Sequence, residues 1–444
     1  MNLYNSKTNS VETFTPIHKG KVSMYVCGPT VYNHPHIGNA RPIVVFDLLR
    51  RILIELGNEV HYVSNYTDVD DRIIQKAKDE GLDETQIAGR YIAAYEDVRR
   101  GLFADAVDAK PKVTENMDEI IAFIEELIEL EFAYESNGDV YFRVNKVKDY
   151  GAISSQNIDA LKIGARIEEN MQKESSLDFV LWKDTNDEGI KWDSPLGQGR
   201  PGWHTECVVM IQDEFNTNLI DIHGGGQDLK FPHHENESAQ AKAVHHHDIA
   251  NYWVHNAMLN IDGEKMSKSL GNVTWAKDYI QQFGGNVTRY LLLSTHYRLI
   301  LNISDDVLAQ AQKEVQKFEG IFKQVSLKLS SQGDTLGQEH DEDLFNDFMD
   351  QLKDDMNVAN ALVHVNETVK KINQALRSQY DFEAISRPMN TLVKMMNVLG
   401  LDFKLTQFTD EEKTLLSDWD IAKAEKRFED ADKLRVALIE AGVL

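Results

Sequence analysis

The stretch spanning residues 22–66 constrains the fold more than any other part of this 444-residue chain. Residues 22–27 (VSMYVC) have the composition of a short buried strand, and residues 60–66 (VHYVSNY) predict a second one. Between them, apolar residues recur at helical spacing over residues 41–56, and Gly57 is a typical helix stop. This strand–helix–strand order predicts a parallel sheet of the nucleotide-binding type.

Polar residues follow both of these strands. Residues 28–39 (GPTVYNHPHIGN) form a turn rich in Gly, Pro and His, and residues 65–68 (NYTD) come after the second strand. Ligands of parallel sheets bind at the carboxyl ends of the strands, so we expect these two segments to border one binding site.

A third segment combines a glycine run with candidate metal ligands. Residues 223–237 (HGGGQDLKFPHHENE) predict a strand end, a glycine loop and a helix that starts at the proline. On that helix His233 and Glu237 are four residues apart, so they share one face and can bind one metal ion. The chain has only two cysteines, Cys27 and Cys207. They either complete the site or are small buried apolar side chains.

Composition limits the function classes. Two cysteines in a chain of this size argue for a reducing compartment, and we expect a cytoplasmic protein without a signal peptide. No apolar run has the length of about 18 residues that a membrane span needs. The formal net charge of −25 argues against indiscriminate coating of nucleic acid but allows RNA binding through shape and a few base contacts.

In the rest of the chain the sequence pattern changes twice. Residues 113–193 resemble an insertion, with an amphipathic helix at 120–128 and a half-buried strand at 138–144. The sheet is predicted to resume near residue 199. From Trp275 onward the pattern predicts almost only helices.

Several motifs together resemble one family. His36-Ile37-Gly38-Asn39 resembles the HIGH signature of class I aminoacyl-tRNA synthetases, and residues 265–269 (KMSKS) match its companion loop. Further matching segments are residues 27–32 (CGPTVY), 65–71 (NYTDVDD), 178–183 (DFVLWK), 199–207 (GRPGWHTEC), 233–237 (HHENE) and 290–298. Among class I synthetases the chain is most similar to the cysteinyl-tRNA synthetases, from about Leu3 to its C-terminus.

The resemblance implies an α/β fold: a split, doubly wound Rossmann-type catalytic domain with an insertion, followed by a mainly helical anticodon-binding region. The expected parts are the first half of the catalytic domain (1–112), a connective insertion (113–195), the second half (196–262), the KMSKS loop with a stem-contact domain (263–326), a helical anticodon-binding domain (327–405) and a shortened C-terminal module (406–444).

The resemblance also implies one Zn²⁺ per chain, bound by Cys27, Cys207, His233 and Glu237. A mixed set of sulfur, nitrogen and oxygen ligands favours zinc. In this family the metal is expected to bind the thiolate of the substrate L-cysteine. Serine has a much poorer ligand in its hydroxyl, so such a site can discriminate by about 10⁴ without editing.

For activation the resemblance implies ATP, with Mg²⁺, and catalytic roles for His36, Asn39, Lys265 and Lys268. The expected ATP-binding residues are His36, Gly38, Asn39, Asp228 and Lys268, because helix N-termini and glycine-rich turns attract phosphate. Thr67, Trp203 and His223 are expected to line the amino-acid pocket, although a packing role explains each of them equally well. Asn39 replaces the last His of the signature and can donate a hydrogen bond without carrying charge.

The expected reaction is activation of L-cysteine to cysteinyl-adenylate and its transfer to the 3′-terminal ribose of tRNA(Cys), by a monomer that binds no membrane. One alternative is a cysteine ligase that joins cysteinyl-adenylate to an amino sugar. That enzyme should lack the helical region after the contact domain. A non-catalytic, zinc-dependent cysteine- or RNA-binding protein is a second alternative, but it has no need of a KMSKS loop.

Overall fold

The computed structural model describes residues 1–156, 173–185, 189–265 and 273–443. The chain divides into two compact units, Met1–Gly285 with Tyr297–Ile303, and Asn286–His296 with Ser304–Leu444. Within the described ranges, no helix has both the length and the apolar character needed to cross a membrane.

The described strands are β1 (Asn2–Asn5), β2 (Ser10–Thr13), β3 (Lys21–Val26), β4 (Glu59–Val63), β5 (Ala133–Ser136), β6 (Asp139–Phe142), β7 (Phe179–Asp184), β8 (Gly199–Pro201), β9 (Ile220–Gly226), β10 (Ala250–Asn256), β11 (Leu259–Ile261), β12 (Glu264–Lys265) and β13 (Leu301–Ile303). The described α-helices up to residue 293 are α1 (Ile37–Glu55), α2 (Asp71–Glu80), α3 (Glu84–Gly101), α4 (Met117–Glu129), α5 (Glu206–Phe215), α6 (Glu235–His245), α7 (Ala276–Phe283) and α8 (Gly285–Leu293). Beyond them lie α9 (Asp305–Ser331), α10 (Glu342–Lys353), α11 (Val358–Arg377), α12 (Phe382–Leu399), α13 (Asp410–Ala424) and α14 (Phe428–Glu440).

The first unit is built on a four-stranded sheet in the order β10-β9-β3-β4, in which every neighbouring pair is parallel. Met24 at its centre pairs with Ile222 on one side and Tyr62 on the other, and all three are buried. The parallel sheet predicted from the strand–helix–strand pattern is therefore confirmed.

Helix α1 begins four residues earlier than the predicted residue 41. His36 is its N-cap in an extended conformation, and the Asn39 side chain accepts a hydrogen bond from the His36 backbone N–H. This hydrogen bond satisfies the His36 backbone donor at the helix end, so the last residues of the His-rich turn form the first turn of the helix. The predicted stop is confirmed at the other end, where Gly57 has a φ of +86°.

Strand β9 extends through the glycine run, although the sequence pattern predicts a loop there. A Cβ atom at Gly224 would overlap the Phe46 ring of α1. The glycine therefore allows helix and strand to pack closely, rather than providing a turn. The residues that follow β9 reach the cavity described below.

The insertion contains an antiparallel sheet in the order β5-β6-β7-β8. Asn137 and Gly138 join β5 to β6 with φ values of +52° and +93°, as a two-residue hairpin turn requires. The predicted strand at 138–144 corresponds to β6, whereas its partner β5 was not predicted. Its four residues are too few for a clear alternating pattern.

A small third sheet has the order β12-β11-β13. Almost only helices were predicted from Trp275 onward, and strand β13 departs from that pattern. Leu301 pairs with Leu259 in a parallel register, which fixes the segment as a strand through a partner distant in sequence. The remainder of the prediction for this region holds, because the elements that the structure describes in the second unit are helices.

In the second unit, helices α10, α11 and α12 pack on one another around buried Phe348, Val365 and Leu392. Arg289 of α8 is also buried and donates from Nε to the Leu399 carbonyl at the end of α12 at 2.7 Å. The division of the chain into six parts stays a prediction.

Candidate active site and metal centre

A cavity of about 630 Å³ opens at the carboxyl edge of the parallel sheet. It extends from the ends of β9 and β10 across β3 to the end of β4. Its lining includes Cys27, Gly28, His36, Gly38, Asn39, Trp203, Gly226, Asp228, residues 256–259 and Trp275. His36, Gly38, Asn39 and Asp228, four of the residues predicted to bind ATP, therefore border one cavity.

Helix α1 presents its N-terminus to this cavity. The Asn39 side-chain oxygen accepts from His36 N at 3.0 Å, while Asn39 N donates to the His36 carbonyl at 2.9 Å. The amide oxygen is thus used in capping, and the amide nitrogen is the group of Asn39 that remains for a ligand. Ile37 N donates to the Thr274 carbonyl at 2.9 Å, which fixes the helix end against the segment that carries Trp275.

Close backbone contacts shape the cavity floor. Gly28 N donates to the Asn65 side-chain oxygen at 2.8 Å, and a Cβ atom at Gly28 would overlap the Asn65 carbonyl oxygen. A Cβ atom at Gly226 would similarly meet the carboxylate of Asp228. These glycines allow the turns after β3 and β9 to approach their neighbours.

The four predicted metal ligands converge beside the cavity. The Cys27 sulfur is 3.5 Å from the Cys207 sulfur, 3.6 Å from His233 Nε2 and 3.6 Å from Glu237 Oε1. The Cys207 sulfur is 3.7 Å from His233 Nε2. Cys207, His233 and Glu237 are buried, and Cys27 is half-buried and lines the cavity.

These separations fit a tetrahedral ion. Zinc at about 2.3 Å from sulfur and about 2.0–2.1 Å from nitrogen or oxygen holds its ligand atoms roughly 3.4–3.8 Å apart. The four sulfur distances given above for Cys27 and Cys207 fall in that range. His233 Nε2 and Glu237 Oε1 are closer, at 2.8 Å, as expected for a direct hydrogen bond between them. The donor set and its spacing therefore fit zinc.

Neighbouring side chains orient these ligands. Glu237 Oε2 lies 2.6 Å from His223 Nε2, which leaves Oε1 directed at the cluster. The Nδ1 atoms of His204 and His233 are 3.1 Å apart, so one of the two rings donates to the other. The Trp203 ring stacks on His233 with centroids 4.3 Å apart. Such contacts fix the tautomer and plane of a ligating imidazole.

A second group of possible ligands shares two members with the first. Cys27, His223, His234 and Glu237 also bring ligand atoms within 4.8 Å of one another. It holds only one sulfur, and His223 is 4.0 Å from that sulfur. His234 Nδ1 is 2.8 Å from His255 Nε2, and His255 Nδ1 is 2.8 Å from the Ser6 hydroxyl. His234 is thus held in a chain of hydrogen bonds behind the ligands, and the four-ligand group with both cysteines fits zinc better.

Charges within the cluster shift its pKa values strongly. The Cys27 thiol, donating to Cys207, lowers the pKa of Cys207 to about 7 against the effect of burial. Burial opposes the charged form of His233, but the Glu237 carboxylate and Cys207 outweigh it and raise its pKa to about 10. Burial, together with the neighbouring His233, lowers the pKa of His204 to about 3. His204 is therefore neutral near pH 7.

The residues predicted for the amino-acid pocket differ in position. Trp203 lines the cavity and is partly exposed. Thr67 is buried, and its hydroxyl donates to Glu206 Oε2 at 3.0 Å. His223 is fully buried between Glu237 and the Trp253 ring, which stacks on it at 4.6 Å. Their contact with substrate stays a prediction.

Two predicted catalytic lysines cannot be placed. Lys268 and the rest of the loop at 266–272 lie outside the described residues, and Lys265 is described only through its backbone in β12. Sequence reasoning missed His204 and Glu206. Their only signal was position, because both closely precede Cys207 in the segment WHTEC.

This combination of a split parallel sheet, an HIGN turn at the start of a helix and a KMSKS sequence defines a class I aminoacyl-tRNA synthetase. The family model for the catalytic domain of class I (C) tRNA synthetases matches residues 13–313, and the DALR domain model matches residues 347–404. The fold is also similar to that of Mycobacterium tuberculosis methionyl-tRNA synthetase in complex with methionyl-adenylate, with a TM-score of 0.61 at 13% identity, covering 93% of each chain.

Similarity to curated proteins identifies the family within this class. The chain is 43% identical to the cysteine–tRNA ligase of Halalkalibacterium halodurans over 100% of this chain and 96% of that one. It is 45% identical to the cysteine–tRNA ligase of Exiguobacterium sibiricum, over 100% of this chain and 97% of that one. The chain therefore belongs to the cysteine–tRNA ligase family. The predicted family, fold class and enzymatic nature are confirmed.

Proposed function

We propose that this chain activates L-cysteine with ATP and transfers it to the 3′-terminal ribose of tRNA(Cys). The observation that carries the proposal is the position of the four-ligand cluster. Through Cys27 it reaches the same cavity that the N-terminus of α1 borders. A thiol-selective site and a phosphate-binding helix end therefore border the same cavity, in which cysteine and ATP can react.

In the first step a carboxylate oxygen of cysteine attacks the α-phosphorus of ATP, and pyrophosphate leaves. His36 and the Asn39 amide nitrogen, at the N-terminus of α1, bind the phosphate oxygens where negative charge develops. Asp228 at the end of β9 accepts from the ribose or adenosine. Lys265 and Lys268 supply positive charge to the departing pyrophosphate, and Mg²⁺ accompanies ATP. In the second step a ribose hydroxyl attacks the acyl carbon and AMP leaves.

Substrate selection rests on Cys27, Cys207, His233 and Glu237, which would hold a zinc ion. That ion supplies a binding position for the substrate thiolate, for which the hydroxyl of serine is a poor replacement. The hydrogen bonds that His204 and His223 make with His233 and Glu237 keep the protein ligands in place, so the site is preorganised before substrate arrives.

Trp203 and Thr67 complete the amino-acid pocket in this proposal. The Trp203 ring, stacked on His233 at the cavity, packs against the substrate side chain and excludes water. Thr67 lies two residues after Asn65, whose side chain accepts a hydrogen bond from Gly28 N, and the Thr67 hydroxyl is directed by Glu206. His223 contributes indirectly, by orienting Glu237.

Pyrophosphate exchange into ATP tests the activation step. We expect exchange that depends on cysteine, that serine supports at least about 10⁴-fold less well, and that falls when zinc is removed with a chelator. Equal exchange with serine, or exchange indifferent to metal removal, would contradict zinc selection.

Charging of tRNA(Cys) transcript with labelled cysteine tests the second step. An amino sugar as the only acceptor would favour the alternative ligase. The DALR match over residues 347–404 and the relatives' names support tRNA as the acceptor. A cytoplasmic location, a monomeric state and the six-part domain division remain part of the proposal.

A further inference from the structure

One end of the cavity has no role in the proposed activation step. Near the end of β4 its lining consists of side chains from the turn after β3 and from α2 and α3. These are Tyr32, His34, Arg72, Tyr95 and Arg99. The terminal ribose of tRNA must reach the acyl carbon inside the same cavity, so its nucleotide needs a place that ATP and cysteine leave open.

Arg72 and Tyr32 form a cation–π pair at this end. The guanidinium carbon lies 4.8 Å from the centroid of the Tyr32 ring. Arg72 Nε donates to Asp70 Oδ1 at 2.8 Å, and Nη2 donates to Asp70 Oδ2 at 3.2 Å and to the Thr30 hydroxyl at 3.0 Å. These bonds hold the guanidinium plane before any ligand binds, which lowers the entropy cost of binding.

The pair is accessible. The Arg72 side chain is 50% exposed, and its hydrogen bonds to Asp70 and Thr30 use Nε and Nη2 rather than Nη1. His34 is also exposed, and its ring is held by edge contacts with Tyr91 and Trp275 at 5.2 and 6.1 Å. Two aromatic rings and one guanidinium plane thus face the same part of the cavity.

This chemistry suits an unpaired ribonucleotide. Single-stranded RNA ends are bound by stacking of bases on aromatic rings and Arg planes. Because Asp70 neutralises Arg72 and the chain carries a net charge of −25, bulk attraction to phosphate contributes little here. Stacking, with one hydrogen bond from Nη1, is the interaction that the geometry offers.

We propose that Tyr32 and Arg72, with His34 beside them, form the seat for the 3′-terminal nucleotide of tRNA. The base stacks on the Tyr32–Arg72 pair, and Nη1 donates to a ribose or phosphate oxygen of the same nucleotide. This inference rests on the proposed tRNA charging and adds a positioning site for its second step.

Steady-state kinetics of Arg72→Gln and Tyr32→Leu test the seat. We expect the KM for tRNA(Cys) to rise about tenfold in each, because one stacked base contributes to that order. Pyrophosphate exchange, which needs no tRNA, should stay within about twofold, which also shows that the variants fold. Tyr32→Phe keeps the ring and should restore the KM. Arg90→Gln is the matched control, because Arg90 is 46% exposed, pairs with Glu80 and does not line the cavity.

Direct binding separates this inference from the proposed function. Fluorescence anisotropy would compare full-length tRNA(Cys) transcript with one that lacks the terminal adenosine. We expect the unmodified protein to bind the full-length RNA about tenfold more tightly, and Tyr32→Leu to bind the two equally. Equal binding of both RNAs by the unmodified protein, or a KM for ATP or cysteine that rises in parallel, would overturn the seat. Absent exchange would instead overturn the activation chemistry.

Discussion

The sulfur atoms of Cys27 and Cys207 lie 3.5 Å apart, although 180 positions separate the two residues in the chain. Cys27 follows β3, and Cys207 lies in the first turn of α5. Both sulfurs also approach His233 Nε2. This geometry makes metal binding by the pair a direct expectation.

Cys207→Ser should therefore lose bound zinc. The hydroxyl of serine stays protonated near neutral pH and is a weak zinc ligand, so the remaining three groups bind the ion poorly. Elemental analysis after gel filtration measures the zinc content. Ser238→Ala, a buried change on α6 that leaves all four ligands intact, is the control. A Cys207→Ser protein that retains zinc as fully as the control would contradict the four-ligand site.

His204→Ala should weaken zinc binding by about 10- to 100-fold, the usual effect of removing a group that orients a ligating histidine. The Nδ1 atoms of His204 and His233 share a hydrogen bond, and without His204 the imidazole of His233 loses a group that fixes its plane and tautomer. Competition with a chromogenic chelator gives the affinity. His61→Ala is a suitable comparison, because His61 is a surface residue paired with Glu214. Equal affinities of the two variants would show that His204 does not support the site.

We expect Arg41→Met to impair ATP binding, although Arg41 is not among the residues proposed to bind ATP. The buried Arg41 guanidinium donates to the carbonyls of Ala257 and Met258 at 2.8 and 2.7 Å, and to that of Leu299 at 2.7 Å. Residues 257 and 258 line the cavity, so loss of their hydrogen bonds to Arg41 disturbs the edge of the cavity. Removing these three bonds frees the two segments from each other at helix α1, and we expect the KM for ATP to rise about tenfold.

Exchange kinetics over a range of ATP concentrations would measure this effect. Arg100→Met, a change at an exposed position of α3, supplies the reference. An unchanged KM for ATP with a lowered melting temperature would reduce Arg41 to a purely structural role.

Gly28→Ala should lower the melting temperature and abolish exchange. The added Cβ atom would overlap the Asn65 carbonyl, so the turn that carries Cys27 must move. Such overpacking costs about 1–3 kcal/mol or more. At Gly89, on an exposed turn of α3, an added Cβ atom meets nothing within 4 Å, and alanine there should be neutral or stabilising by about 0.5–1 kcal/mol. Thermal denaturation followed by fluorescence compares the two, and equal melting temperatures would contradict the close approach.

The fold was largely predictable, and the exceptions share a cause. The strand–helix–strand pattern predicted the parallel sheet, and apolar spacing predicted α1. The errors fall where a distant partner decides the conformation. Strand β13 is fixed by β11, and the glycine run at the end of β9 is extended because Phe46 lies against it. Three- or four-residue elements carry too little periodicity to be identified without those partners.

The sequence by itself determined the chemistry that this protein can have. It supplied two thiols, a His and a Glu at helical spacing, and an HIGN turn before a helix, and their order identified the family. Tertiary structure decided how these groups are used. Only folding brings Cys27 to Cys207, sets His204 against His233 and His223 against Glu237, and places Arg72 on Tyr32. Those contacts join segments far apart in the chain or depend on backbone turns, and local residue patterns carry no information about such distances.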